Sequence, residues 1–290
     1  MHRSRLAWPT ALAGIFVFSF SAALYKLSGA PPAVGAALRF AYATPVLVVL
    51  AARAGALRRG PDLVPAVMAG VLVGVEVVVW NEATGRIGAG PSTVIVNTAS
   101  LWLMAFAAVF LHRRVPLRAV GGAVVVLMGL VLLRGLGADG LDVVGVVLAV
   151  TAAALYGIYI LVFDAAVSRA GNRITPVLWS TAAAVPVSLV CAIALGESFA
   201  LAPGQHAWLA LLGIGVQACG WLLIARTLRW FSAVAVSTLL LLQPILATVW
   251  GLTLLDERLA AVQFAGVAVV LVGVAIARPR AEREDPRLAA

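Results

Sequence analysis

The sequence predicts an all-α integral membrane protein whose ten transmembrane helices form two inverted five-helix repeats. Three observations predict it. Hydrophobic residues fill 63% of the 290 positions and charged residues only 11%, against about a quarter charged in soluble domains. The chain divides into apolar runs, each close to the ~20 residues a helix needs to cross ~30 Å of hydrocarbon. Two stretches of the first half recur, in the same order, in the second.

The runs lie near 8–27, 33–52, 63–82, 91–111, 116–134, 142–163, 175–195, 205–226, 233–255 and 259–277. Backbone amides find no water in lipid, so each run is a helix or part of a closed barrel. Barrel strands are ~10 residues long and alternate, whereas Val120 to Leu133 is continuously apolar. Nothing between the runs is long enough for a soluble domain. The opening MHRSR before an apolar run resembles a secretory leader, but the run exceeds the usual ~7–15 residues, so it is read as a retained first helix. Cys191 and Cys219 fall within spans seven and eight without disulfide or metal spacing and are read as small packing residues.

A net charge of +9 suggests nucleic acid only where basic residues form a patch. Here they sort by side instead. With the N-terminus cytoplasmic, all 21 basic residues except Lys26, Arg39, Arg86, Arg134 and Arg258 fall on the cytoplasmic side, as the positive-inside rule requires. An even number of spans places both termini there, in a multi-pass protein of the cell membrane, plasma or inner.

HRRVPLRAVGGAVVVLMGL (112–130) aligns with DERLAAVQFAGVAVVLVGV (256–274), 144 residues later, matching Arg114 with Arg258, Gly122 with Gly266 and Gly129 with Gly273. AALY occurs at Ala22–Tyr25 and again at Ala153–Tyr156. Together they argue for a five-helix unit used twice, over 1–135 and 136–290. Five being odd, the second copy enters the bilayer upside down, the arrangement that places solute near the midplane between halves in many secondary transporters.

The segments PPAVGAALRF (31–40), IGAGPSTVIVN (87–97), AALYGIYIL (153–161), VQACGWLLIARTL (216–228) and SAVAVSTLLLLQPILATVWGLTLLDERLAAVQFAGVAVVLVGV (232–274) resemble the drug/metabolite transporter superfamily, specifically its EamA-type permeases, over essentially the whole chain. The last is the most specific, through Pro244 and the Asp256-Glu257-Arg258 turn. The first half departs from it, with Ser100 where Pro244 stands and Arg113 where Glu257 stands. The resemblance implies transport of a small metabolite or drug-like solute, often efflux.

Ionisable groups deep in hydrocarbon cost roughly 2.5–3.5 kcal/mol on insertion scales and are functional candidates by default. Glu76 lies ~20 Å along span three and Arg39 at a similar depth on span two, at 1.5 Å per residue, which predicts an ion pair of structural or solute-binding use. Lys26 sits near the outer end of span one, snorkelling or pore-lining. Glu76 with Trp80, and Gln217 with Trp221, set a polar group one turn before an indole, an arrangement suited to small amphipathic molecules or to packing. Thr93, Asn97 and Ser100 form a polar stripe, and Tyr25, Tyr156 and Tyr159 belong with or beside the repeated AALY; helix–helix bonding is their alternative role. Gln243 and Pro244 place polarity at mid-span nine, because Pro244 frees the Leu240 carbonyl. Asp256, Glu257 and Arg258 mark that helix's aqueous exit.

A membrane-embedded enzyme is the rival from another class. HExxH and GxGD are absent, and His2, His112 and His206 lie at ends or loops, so no nucleophile meets a base. Nor is there a P-loop. The expectation is a secondary transporter working by alternating access, without cofactor, metal or catalytic residue. Its partners are a small-molecule solute, with protons as a second candidate, and membrane lipid rather than nucleic acid; monomer and homodimer both stay open. A non-transporting membrane interaction or assembly protein is the alternative.

Overall fold

Lipid leaves a backbone no partner but itself, and every element among the described residues is accordingly helical. A computed structural model describes residues 7–57, 60–99, 117–134, 141–172, 174–227 and 242–277, together with 101, 102, 105, 106 and 109. In chain order the elements are α1 (Ala7–Ser19), α2 (Ser21–Ser28), α3 (Pro32–Arg53), α4 (Leu63–Ile87), α5 (Ala89–Val96), α6 (Leu117–Arg134), α7 (Val143–Arg169), α8 (Ile174–Ala194) and α9 (Pro203–Ala210). A π-helical segment, Leu211–Gly220, follows, then α10 (Trp221–Thr227), α11 (Leu242–Leu254) and α12 (Ala261–Ala277).

Among the described residues six stretches are long and apolar enough to cross a bilayer: Trp8–Ser28, Pro32–Arg53, Leu63–Ile87, Val143–Arg169, Ile174–Ala194 and Pro203–Ile224. Val120–Leu133, Leu242–Leu254 and Ala261–Ile276 are shorter apolar helices. Parts of spans four and nine of the sequence-based reading, with Ser100 and Leu240, lie outside the described residues. Two helices run past their apolar stretches. Span three, expected to stop at 82, continues to Ile87, and span six, expected to stop at 163, continues to Arg169. In span three the overhang is polar and internally paired: Arg86 Nε donates to Glu82 at 2.6 Å and Arg86 Nη1 to Asp142 at 3.3 Å.

Ends are set by local chemistry. Gly29, at φ 58°, closes α2 in the left-handed conformation, its amide donating to the Lys26 carbonyl, a position where a Cβ is penalised. The proline at α3's first position has no amide to leave unbonded. Asp142 caps α7, its carboxylate accepting from the Val144 and Gly145 amides. Asn172 does the same for α8 through the Ile174 and Thr175 amides.

Without a hydrophobic force between helices in lipid, small residues that let backbones approach decide the packing. α4 runs against both α7 and α8. A Cβ on Gly74 would lie 3.0 Å from the Val187 side chain, and the Ser188 hydroxyl donates to the Gly74 carbonyl across the same seam. α3, with internal Pro45, packs on α8, with internal Pro186, and on the π-helical segment. α5 lies on α11. Val64, Met68, Leu127, Val131 and Ile193 face outward, the surface that lipid tails would cover. The thiol of Cys191 is half-buried and that of Cys219 exposed; both are free.

α6 and α12 pack antiparallel along one seam. A Cβ on Gly129 would lie 2.6 Å from the Val270 amide nitrogen, and one on Gly273 would lie 2.7 Å from the Val126 amide nitrogen. These are one contact made twice. Gly129 aligns with Gly273 and Val126 with Val270 in the internal repeat, so each glycine meets the other half's copy of the same valine.

The bundle has two ends. One carries Gly29, Gly88, Glu197 and Glu257, and here Glu197 accepts from the Ala33 and Val34 amides at 2.9 Å each, capping α3. At the other, buried Asp62 accepts from the Thr175 hydroxyl at 2.7 Å, tying the start of α4 to the start of α8.

Candidate functional site

Between the helices lies a cavity of about 230 Å³. α1 and α2 contribute Phe18 and Ser21, α3 Arg39, α4 Glu76 and Trp80, and α5 with the turn after it Thr93 and Asn97. α7 adds Tyr156 and Ile160, the π-helical segment Gln217, α10 Trp221, and α11 Gln243. Apolar walls with a few convergent polar groups are the ordinary make-up of a small-molecule site.

Arg39 and Glu76 are the charged members among the described residues, 6% and 4% exposed. The guanidinium is held from three sides. Its Nε donates to Gln217 Oε1 at 3.0 Å, its Nη1 to the Ser21 hydroxyl at 3.1 Å, and it lies 5.9 Å from the centre of the Phe40 ring. Gln217 is fixed in turn, its Nε2 donating to the Thr181 hydroxyl at 3.4 Å.

The direct Arg39–Glu76 ion pair expected from sequence depth is not formed. The two share the cavity, yet no nitrogen of one lies within 4.0 Å of an oxygen of the other. The physical reason is the bonding to Gln217 and Ser21, which fixes the guanidinium fork before it reaches the carboxylate. Glu76 forms no hydrogen bond among the described residues. The Trp80 indole nitrogen, one turn on, is buried and has no hydrogen-bond partner either.

Rings form one wall. Phe18 meets Trp221 edge to face at 5.5 Å, Trp221 meets Phe163 at 5.5 Å, and Tyr156 stacks on Tyr159 at 5.5 Å. Of the residues singled out from sequence, Glu76, Arg39, Trp80, Asn97, Tyr156, Gln217, Trp221 and Gln243 line this one cavity. Tyr159 and Tyr25 do not. Tyr159 stands behind Tyr156, and Tyr25 packs against Gly35, where a Cβ would lie 3.0 Å from its ring. Asn97 donates to the Thr93 carbonyl at 2.8 Å, and Thr93 donates to Ala89 at 2.7 Å. Among the described residues no group of three or more His, Cys, Asp or Glu side chains is placed to hold a metal ion.

Sequence reasoning missed Ser21, Thr181 and the π-helical winding. A lone hydroxyl in an apolar helix carries no spacing signal, although Ser21 does stand directly before the first AALY. π-helical turns are rare and concentrate at functional sites; here the segment carries Gln217, and Gly213 within it lets the Arg39 carbonyl approach, where a Cβ would collide at 2.5 Å. Replacing Gln217 with leucine is expected to leave the Arg39 Nε and the Thr181 hydroxyl without partners, at about 1–3 kcal/mol of stability. Thermal unfolding in detergent measures it, with Gln217→Glu, which keeps an acceptor, losing less.

The turn motif of the second half lies at the Glu257 end. Glu257 accepts from Lys26 Nζ at 2.9 Å and from the Ala89 amide at 2.7 Å, while Asp256 and Arg258 are exposed. Lys26 is therefore paired. Buried Pro244 lies in the first turn of α11, its carbonyl accepting from the Thr248 hydroxyl at 2.8 Å.

The model of the EamA-like transporter family matches residues 6–135 and 143–278. No curated protein sequence matches the chain. Among solved structures, one described only as the crystal structure of a protein superposes with a TM-score of 0.67 at 20% identity, over 96% of this chain and 98% of its own; at that identity it speaks for the fold alone.

Proposed function

Since the chain belongs to the EamA-like transporter family, a membrane transporter family of the drug/metabolite type, we propose that it carries a small solute across the cell membrane by alternating access at the Arg39–Glu76 cavity. One observation carries the reading: two buried side chains of opposite charge type line one interior cavity without direct contact. A purely structural pair would be in contact, because separation in a low dielectric forgoes the attraction that offsets desolvation. Held apart, each is left to meet a solute group.

The ten-helix inverted repeat, over 1–135 and 136–290, is supported by the doubled family match and by the reciprocal Gly129–Val270 and Gly273–Val126 contacts. Two antiparallel helices meeting through equivalent residues are related by a twofold axis across them, which is the symmetry of an inverted pair. The distribution of arginines supports cytoplasmic termini and an outward-facing Glu257 end. Export is the direction that family likeness favours. In this scheme Arg39, Glu76, Gln217 and Gln243 supply polarity to the solute, and Trp80, Trp221 and Tyr156 its apolar walls.

The test is purified protein, screened by thermal shift against amino acids, nucleosides and cationic drugs, then assayed in liposomes with the solutes that raise its melting point. Glu76→Gln preserves shape and hydrogen bonding but cannot ionise. It is expected to abolish stimulation of flux by an imposed pH gradient; flux that keeps its proton dependence in this variant removes Glu76 from coupling.

A further inference from the structure

The Glu257 carboxylate accepts from three donors, as many as Asp142, but at a side chain 12% rather than 40% exposed. It accepts from Lys26 Nζ at 2.9 Å, from the Ala89 amide at 2.7 Å and from the Gly90 amide at 3.4 Å. Those groups belong to three parts of the chain. Lys26 is on α2, the two amides open α5, and Glu257 follows α11, whose Gly251 carbonyl accepts from the Glu257 amide at 3.0 Å. Anionic oxygen at unbonded helix amides, next to a cation, combines helix-dipole and ionic attraction.

The space for this carboxylate is made by missing side chains. A Cβ on Gly88 would lie 2.8 Å from Glu257 Oε2, and one on Gly251 would collide with the same atom. Asp256, at φ 51°, is the one non-glycine described with positive φ, and this turn folds Glu257 back over the bundle. The group is 12% exposed and Lys26 26%, so both can be hydrated once released.

An apolar cluster adjoins this site through Ala89. Ala22, Trp80, Ala89 and Ala152 are buried, with Val96 and Leu255 packed against them. Trp80 and Val96 also line the cavity, so the cluster is the cavity's ceiling and the Glu257 contacts lie over it. Ala22 shares α2 with Lys26, Ala89 carries a bonding amide, and Leu255 stands two residues before Glu257. Ala22, Ala89 and Leu255 of the ceiling are thereby tied to the carboxylate.

Resting on the transport reading above, we propose that Glu257 is the latch of the gate at its own end of the cavity: its bonds to Lys26 and the α5 amides hold α2, α5 and α11 together over the ceiling, and their release opens that end. The latch is one-sided. The aligned position in the first half is Arg113, so the opposite end has no equivalent carboxylate in sequence, and the resting conformer is biased towards closure at the Glu257 end.

The experiment uses full-length protein with Cys191 and Cys219 replaced by alanine and a single reporter, Ala22→Cys, in the ceiling. A membrane-impermeant thiosulfonate is applied from the Glu257 face in sealed vesicles. The reporter is expected to label slowly in the parent, and on the order of tenfold faster with Glu257→Gln, which removes the ionic component of three bonds. Lys26→Met, which leaves the α5 amides and Glu257 in place, is expected to give a smaller acceleration and serves where the first variant does not fold. Fast labelling of the parent, or equal rates in the parent and the folded variants, overturns the latch. Labelling needs no transported solute, so a chain that carries nothing but still shows the shift refutes transport and supports the latch. In a reporter-free background, Lys26→Cys/Glu257→Cys joined by a reducible bifunctional thiol reagent is expected to lose flux and regain it on reduction; flux that persists through the cross-link overturns the latch.

Discussion

Leucine in place of Gly129 is expected to cost the largest share of stability of any single change considered, about 3 kcal/mol or more, because it overpacks the α6–α12 seam against backbone. Its Cβ alone would lie 2.6 Å from the Val270 amide nitrogen and 2.7 Å from the Val270 side chain. Backbone cannot retreat from backbone without separating α6 from α12. Gly273→Leu is expected to match it, through the mirrored approach to Val126. Gly121→Leu is the control on the same helix, since nothing lies within 4 Å of a Cβ there. It should be neutral or slightly stabilising, as removal of a helical glycine generally is. Thermal unfolding in detergent separates the cases, and equal melting points for Gly129→Leu and Gly121→Leu would refute the seam.

The second large effect is on binding. Arg39→Met keeps a long stem but removes the one cation that lines the cavity among the described residues, leaving Gln217 Oε1 and the Ser21 hydroxyl facing a thioether. For a solute with an acidic group, loss of a charge-assisted bond of about 1.5–3 kcal/mol corresponds to roughly ten- to a hundredfold weaker binding. Arg39→Lys is expected to rescue little, because one ammonium cannot reproduce the planar fork that reaches Gln217 and Ser21 together. Titration calorimetry on a solute found by thermal shift measures both. Unchanged affinity for every acidic solute in Arg39→Met would place the binding site elsewhere.

Helix class and the approximate positions of spans were legible because lipid imposes one backbone solution and one length. Glu76, Arg39 and Gln217 stood out for a related reason: polar side chains are rare within apolar runs, and depth along a helix is arithmetic. Contact was not legible. Depth alone put Arg39 beside Glu76, but whether a guanidinium reaches a carboxylate depends on competitors such as Ser21 and Thr181, which stand on other helices and leave no pattern in the chain. Tyr25 shows the same limit: the recurring AALY singled it out, while its ring packs against Gly35 instead of lining the cavity. Glu257 was read as the aqueous end of its own helix. Its partner amides, at Ala89 and Gly90, lie far away in sequence, and only the fold brings them together.

The capping carboxylates have a bearing on how such a molecule comes to exist. α3 and α5 belong to the first half, yet the acids that satisfy their opening amides, Glu197 and Glu257, both come from the second. A ribosome finishing the amino-terminal half therefore releases helices whose leading ends still await their anions, and the early product is an incomplete object rather than a self-sufficient module. Synthesis of the remaining chain closes what the first part leaves open, so the early helices depend on later residues for their caps.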